Sequence, residues 1–180
     1  MEHKQTCSAE PILELLAPRM FGVEVGICRA ESSERILEEL YLGHLYLVDS
    51  YCENSAKEDQ AEAFVNLRNY LMTDYKPRWT FLPMTSLLAA QYLSPLRFDF
   101  VFIDADHSYE AVRADISAWW PLLRANGWLM GHDYNLHEKL KESGVKRAVD
   151  EFGSARYLAP QIFQACSEDQ FDCWAIRKKD

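Results

Sequence analysis

No Cys-x-x-Cys pair occurs in the chain, and its five cysteines (Cys7, Cys28, Cys52, Cys166 and Cys173) are odd in number and scattered. This excludes a disulfide framework or a thiolate zinc site and reads as reduced thiols in a cytoplasmic protein. No apolar run approaches the roughly 18 residues needed to span a bilayer. The opening Met1-Glu-His-Lys-Gln-Thr6 lacks the apolar core of a signal peptide. Positive charge is also short: 19 Lys and Arg against 28 Asp and Glu leave a net charge of −9. That balance argues against nucleic acid or an anionic membrane as a partner, since both need clustered Lys and Arg. Repeats, linkers and low-complexity segments are missing too, so residues 1–180 read as one domain. Within it, residues 1–20 form an N-terminal extension and 21–177 the core.

What is present is apolar and patterned. The chain of 180 residues is 48% hydrophobic and 13% aromatic, enough to bury a core without metal or disulfide staples. The stretch from Phe98 to Ile103 is almost wholly apolar, rich in aromatic and β-branched residues. It reads as a strand buried on both faces, as in a parallel sheet covered by helices. It stops abruptly at Asp104-Ala-Asp-His107. Ionisable groups that directly follow a core strand sit at its carboxyl end, where open α/β sheets bind ligands.

Around that strand the pattern alternates. A short helix is expected over 11–20, then strands at Phe21–Gly26, Leu45–Val48, Trp79–Leu82 and Trp128–Met130. Helices are expected over Ser32–Leu42, over the stripe Ala61, Phe64, Leu67 and Leu71, over Ser86–Tyr92, and after Tyr109. The last of these is interrupted by Pro121 and ended by Asn126-Gly127. A further stripe, Val145, Ala148, Val149 and Phe152, precedes two late strands near 161–165 and 171–176. Strands alternating with helices define an α/β fold with a mostly parallel sheet.

Several residues carry candidate chemistry, each beside a plainer reading. Gly26 ends the first strand, where a glycine lets backbone approach a ligand, and Ser32 either caps the following helix or meets a ligand carboxylate. The second and third glycines of a dinucleotide fingerprint are absent, and no Tyr-x-x-x-Lys pair occurs, which weighs against an NAD(P)-dependent oxidoreductase. Asp49 closes the second strand, where a carboxylate accepts ribose hydroxyls, or is a solvated turn residue. Glu24 interrupts an apolar strand; a ligand ammonium would suit it, unless it faces solvent at a sheet edge.

Asp104, Asp106 and His107 end one strand and His132-Asp133 the next, so that carboxylates can converge on a hard dication while His107 serves as a base. The alternative is that Asp104 and Asp106 cap the next helix. Cys28 reads as a buried filler before a nucleophile, Trp119, Trp120 and Trp128 as core before a stacking platform, and Glu31, Glu34, Glu38 and Glu39 as a solvated helix face. His3, His44 and His137 have no neighbours that suggest ligation.

Three motifs in order resemble those of class I S-adenosylmethionine (SAM)-dependent methyltransferases, in particular the small bacterial family with the type-24 methyltransferase domain. They are Ile103-Asp-Ala-Asp-His-Ser-Tyr109, Gly131-His-Asp-Tyr134 and Gly144-Val-Lys-Arg-Ala-Val-Asp-Glu-Phe152. The resemblance spans about Gly22 to Arg177. It implies a Rossmann-like three-layer sandwich, with a seven-stranded, mostly parallel sheet whose last strand, Phe171–Ile176, is antiparallel. It further implies that Glu24, Gly26 and Ser32 line the methionine end of SAM, Asp49 its ribose, and Thr85 and Ser86 its adenine, with Asp104 also bordering the cofactor.

The chain is similar, more distantly, to the catechol and caffeoyl-CoA O-methyltransferases. Their metal-binding aspartates fall on Asp104 and Asp133 and their lysine base on His107, so Mg2+ or another divalent cation is implied as a second cofactor. Ala30 stands where the family has a second glycine, and Tyr134 where the catechol-type site has an asparagine. The short extension leaves substrate recognition to other loops or to a second subunit of a homodimer. The expected activity is methylation of a hydroxyl on a small-molecule acceptor. A non-catalytic binding or assembly module on the same fold is the alternative from another class.

Overall fold

A computed structural model describes residues 9–28, 30–39, 42–50, 65, 78–136, 144–165 and 171–179. Its seven strands are β1 (Phe21–Val25), β2 (His44–Val48), β3 (Trp79–Leu82), β4 (Phe98–Ile103), β5 (Leu123–Gly131), β6 (Gln161–Phe163) and β7 (Cys173–Arg177). They form one sheet in the order β3-β2-β1-β4-β5-β7-β6. β1 to β5 run parallel, and β7 is antiparallel to both β5 and β6. This is the expected Rossmann-like sheet with its reversed last strand. The helices are α1 (Glu31–Glu39), α2 (Ser86–Tyr92), α3 (Tyr109–Trp119) and α4 (Val145–Ser154), with 3-10 turns at Glu10–Leu15 and Trp120–Leu122. The helix expected from Ala61, Phe64, Leu67 and Leu71 lies outside the described residues. No helix among the described residues is long and apolar enough to cross a membrane.

The sheet buries two layers. On one face Val23, Val25, Val101, Ile103 and Leu129 pack against Val112, Ile116 and Trp119 of α3 and Val145, Ala148 and Val149 of α4. On the other, Leu45, Leu47, Phe102, Met130 and Ala175 pack against Ile12, Leu16, Ile36 and Leu37. Alternate residues of β4 therefore serve opposite cores, which is why that strand has no polar face. The order of strands reverses between β1 and β4, so the crevice at their carboxyl ends is the topological switch point.

Two expectations are corrected. Asn126-Gly127 does not end a helix. Pro121, lacking an amide hydrogen, marks the change from α3 to a 3-10 turn, and β5 is already under way at Leu123. Asn126, at φ 62°, instead bends β5, and the pair is pinned by Asn126 N donating to Lys178 O (2.9 Å) and Lys178 N to Gly127 O (2.8 Å). The helix expected over 11–20 is reduced to a 3-10 turn that ends at Leu15.

Phe102 has no exposed surface and lies in the strand between the two layers. Phe102→Ala is expected to lower unfolding free energy by about 3–5 kcal/mol, read from urea denaturation midpoints.

Candidate active site

β1 delivers Gly26 to the switch point at φ 82°, a left-handed conformation suited to glycine. A Cβ there would sit 2.2 Å from the Asp104 carbonyl oxygen and 2.7 Å from Ala105 Cα. The turns after β1 and β4 thus touch, with no room for a side chain. The β1 turn is held by Asp49 from the end of β2, whose Oδ2 accepts the amides of Ile27 (3.0 Å) and Cys28 (3.3 Å). The expectation that Cys28 is buried filler is wrong: it is exposed, because the turn, at φ 41° there, carries it outward. Ala30 also adopts a left-handed φ of 64°. Its methyl is 1% exposed and belongs to the core layer beside α1.

Glu24 does not face solvent. It lies in a central strand, is 1% exposed, and accepts a 2.6 Å hydrogen bond from Ser33 Oγ. Burial drives its pKa up to about 8; the Ser33 bond opposes this, and the charges of Asp104 and Asp49 add to it. α1 begins at Glu31, so Ser32 is buried inside its first turn and is not the N-cap; Ser33, which sequence reasoning missed, is the serine that reaches Glu24.

At the end of β3, next to β2, Thr85 is an exposed N-cap of α2 without a side-chain cap bond. Ser86 Oγ is engaged elsewhere: it donates to Asp115 Oδ1 (2.5 Å) and accepts from Trp119 Nε1 (2.9 Å), joining α2 to α3. Burial raises the pKa of Asp115 to about 6 despite that bond.

The alternative of helix capping is divided between two residues. Asp106 Oδ1 accepts the Ser108 amide (2.7 Å), which holds its carboxyl below the usual range, and Ser108 caps α3. Asp104 instead turns to the histidines. His107 Nε2 lies 3.8 Å from Asp104 Oδ1 and 2.9 Å from Asp133 Oδ2, while His132 Nδ1 lies 3.8 Å and 3.3 Å from the same oxygens. Ligand atoms of Asp104, His107 and Asp133 all fall within 4.8 Å of one another, a spacing that fits a metal ion. Without one, the carboxylates of Asp104 and Asp133 push His107 up to about 10 against the effect of burial, so its imidazole is cationic at neutral pH. Burial pulls His132 down, but Asp133 and Asp104 carry it above its ordinary value. For Asp133, burial acts upward and is outweighed by His107 and His132, which keep the carboxyl well below the usual range.

Tyr134 does not join this cluster. Its hydroxyl donates to Asp150 Oδ1 (2.6 Å) and accepts from Lys146 Nζ (2.9 Å), both on α4. Asn135 Oδ1 accepts the Asp172 amide (2.9 Å). The loop bearing His107 is braced by Gly144, whose amide donates to the His107 carbonyl (2.8 Å). A Cβ on Gly144 would lie 2.2 Å from Tyr109 N.

The seven-stranded sheet in this order, with its reversed last strand, is the fold of class I SAM-dependent methyltransferases. A family model described as methyltransferase domain matches residues 23–134, and the chain belongs to that family. No curated protein matches the chain by sequence.

Solved structures share the fold at low identity. The O-methyltransferase from Bacillus cereus, in complex with SAH, is 16% identical, with a TM-score of 0.69, covering 99% of this chain and 84% of that one. Cofactor-bound Rv0187 from MTB is 20% identical, with a TM-score of 0.72, covering 100% and 84%. The O-methyltransferase NovP is 18% identical, with a TM-score of 0.58, covering 96% and 77%.

Glu24 supplies a measurable signature. Its folded pKa of about 8 exceeds the value of 4.5 for a free carboxyl, so the folded state holds more protons between those limits. Stability of the ligand-free protein is therefore expected to fall as pH rises from 4.5 to 8. Glu24→Gln should make that slope shallower in thermal melts taken across the range, leaving the part that Asp115 supplies below pH 6 and His107 above 6.5.

Proposed function

We propose that the protein transfers the methyl group of SAM to a hydroxyl oxygen on a small-molecule acceptor. What supports this is the meeting, at one switch point, of Gly26, Glu24 and Asp49 with the acid–imidazole cluster of Asp104, His107, His132 and Asp133. Gly26 lets the turns after β1 and β4 close on each other beside the cofactor, Asp49 accepts its ribose hydroxyls, Glu24 pairs with its ammonium, and Ser32 and Thr85 border the two ends. Ser86 supports the adenine side through α2, since its hydroxyl is bonded to Asp115 and Trp119.

The sulfonium of SAM is its own electrophile, so the protein's tasks are alignment and removal of one proton. The acceptor oxygen forms the new C–O bond as the C–S bond breaks and the electron pair stays on sulfur, giving S-adenosylhomocysteine. The hydroxyl proton passes to a ring nitrogen of His107, which must first give up the proton that Asp104 and Asp133 hold on it. A dication on Asp104 and Asp133 would lower the hydroxyl pKa and relieve His107 of the negative charge that holds its own proton. Gly144 keeps the His107 loop in place through its amide.

Calorimetric titration with S-adenosylhomocysteine tests the cradle. At pH 7 binding should release nearly one proton per site, because Glu24, at about 8, must ionise to meet the ammonium. Repeating the titration in buffers of different ionisation enthalpy measures that proton, and Glu24→Gln should release none. No binding heat at all would end the SAM reading. His107→Ala should lower turnover about 100- to 10,000-fold, and wild-type turnover in that variant would remove His107 as the base.

A further inference from the structure

The hollow beyond β4 and β5 has an imidazole on each side, and the two differ. His107 is 41% exposed and looks outward, whereas His132 is 11% exposed. The His132 ring is set edge-on to Phe171 at 6.2 Å, and its backbone amide is bonded to Ile103 O (3.3 Å). Its Nδ1 therefore faces the carboxylates from a fixed position, 3.3 Å from Asp133 Oδ2 and 3.8 Å from Asp104 Oδ1. Two ligand atoms each about 2.1 Å from one ion are about 3.0 Å apart at a right angle and about 3.4 Å at a tetrahedral angle. The observed separations need only small side-chain adjustments to reach those values. The next oxygen donors along the chain are committed elsewhere, Tyr134 to Asp150 and Asn135 to Asp172.

We propose that His132 Nδ1 joins Asp104 and Asp133 as a metal ligand, and that this nitrogen makes the site selective for a borderline transition dication over magnesium. This deepens the proposed function and rests on it in taking this hollow as the acceptor site. Carboxylates and water alone suit Mg2+, which binds imidazole poorly, whereas cobalt, nickel, iron and zinc accept it readily. The exposed His107 is left on the acceptor side to handle the proton.

Cobalt(II) and magnesium, titrated separately into the metal-free full chain, are the probes, with cobalt followed by its visible absorption. Wild type should bind cobalt at least about 100-fold more tightly than magnesium. His132→Ala should lose at least about tenfold in cobalt affinity, with an altered cobalt spectrum and a magnesium affinity within about threefold of wild type. His107→Ala should keep the cobalt spectrum. If His132→Ala does not fold, His132→Gln, closer in size, is put through the same titration. The inference is overturned if the His132 variant keeps wild-type cobalt affinity and spectrum, if the spectrum is lost in His107→Ala instead, or if wild type binds no cobalt. Titrating each sample with S-adenosylhomocysteine separates the two readings: a cofactor that binds beside a failed metal result removes only the His132 assignment.

Discussion

The closeness of two turns governs the rest of the crevice. The chain leaves β1 and β4 at the switch point, and Gly26 allows the turn after one to lie against the Asp104 carbonyl of the other. Any side chain at Gly26 would separate these turns, and with them Asp49 from Asp104. The approach is reinforced from the next strand, where Asp49 ties down two amides of the same turn. It is also braced from the far side, where Gly144 lets α4 reach the loop of His107. Backbone packing therefore decides where the functional side chains stand, and these side chains then set one another's charge.

Charge in the site is arranged in two distinct ways. Glu24 is buried among groups that do not neutralise it, a hydroxyl and two carboxylates, so burial keeps its proton on. Asp104 and Asp133 face two imidazoles, which neutralise them while the histidines are protonated. On the proposed reading, the first arrangement suits an incoming ammonium and the second the exchange of protons for a dication.

Much of this was legible in the residues. The apolar run of β4 announced a doubly buried strand because a strand with helices on both faces needs no polar side. Its stop at Asp104 located the crevice, since strand ends in parallel sheets share one edge. Helix limits were less legible where the signals competed. Asn126-Gly127 looked like a helix end because Asn and Gly tolerate left-handed backbone, but the same tolerance serves a bend in β5. Cys28 looked like core filler by composition, and the outward turn of the backbone overrode that. The Ser33 bond to Glu24 and the Ser86 bond to Asp115 were invisible, because each joins elements whose relative rotation no local pattern encodes.

By itself the sequence determined the alternation of strands and helices, the membership of the core, and which ionisable residues end the strands. Hydrophobic periodicity and the chemistry of Gly and Pro act over a few neighbours and can be read from them. Only tertiary structure decided which donors share a hollow. Tyr134 turns to α4 and His132 to Asp104 and Asp133, although the two are separated by one residue, because side-chain direction there depends on packing against Lys146, Asp150 and Phe171. Those contacts come from remote parts of the chain, and they fix which side chains face the strand-end carboxylates and which turn away.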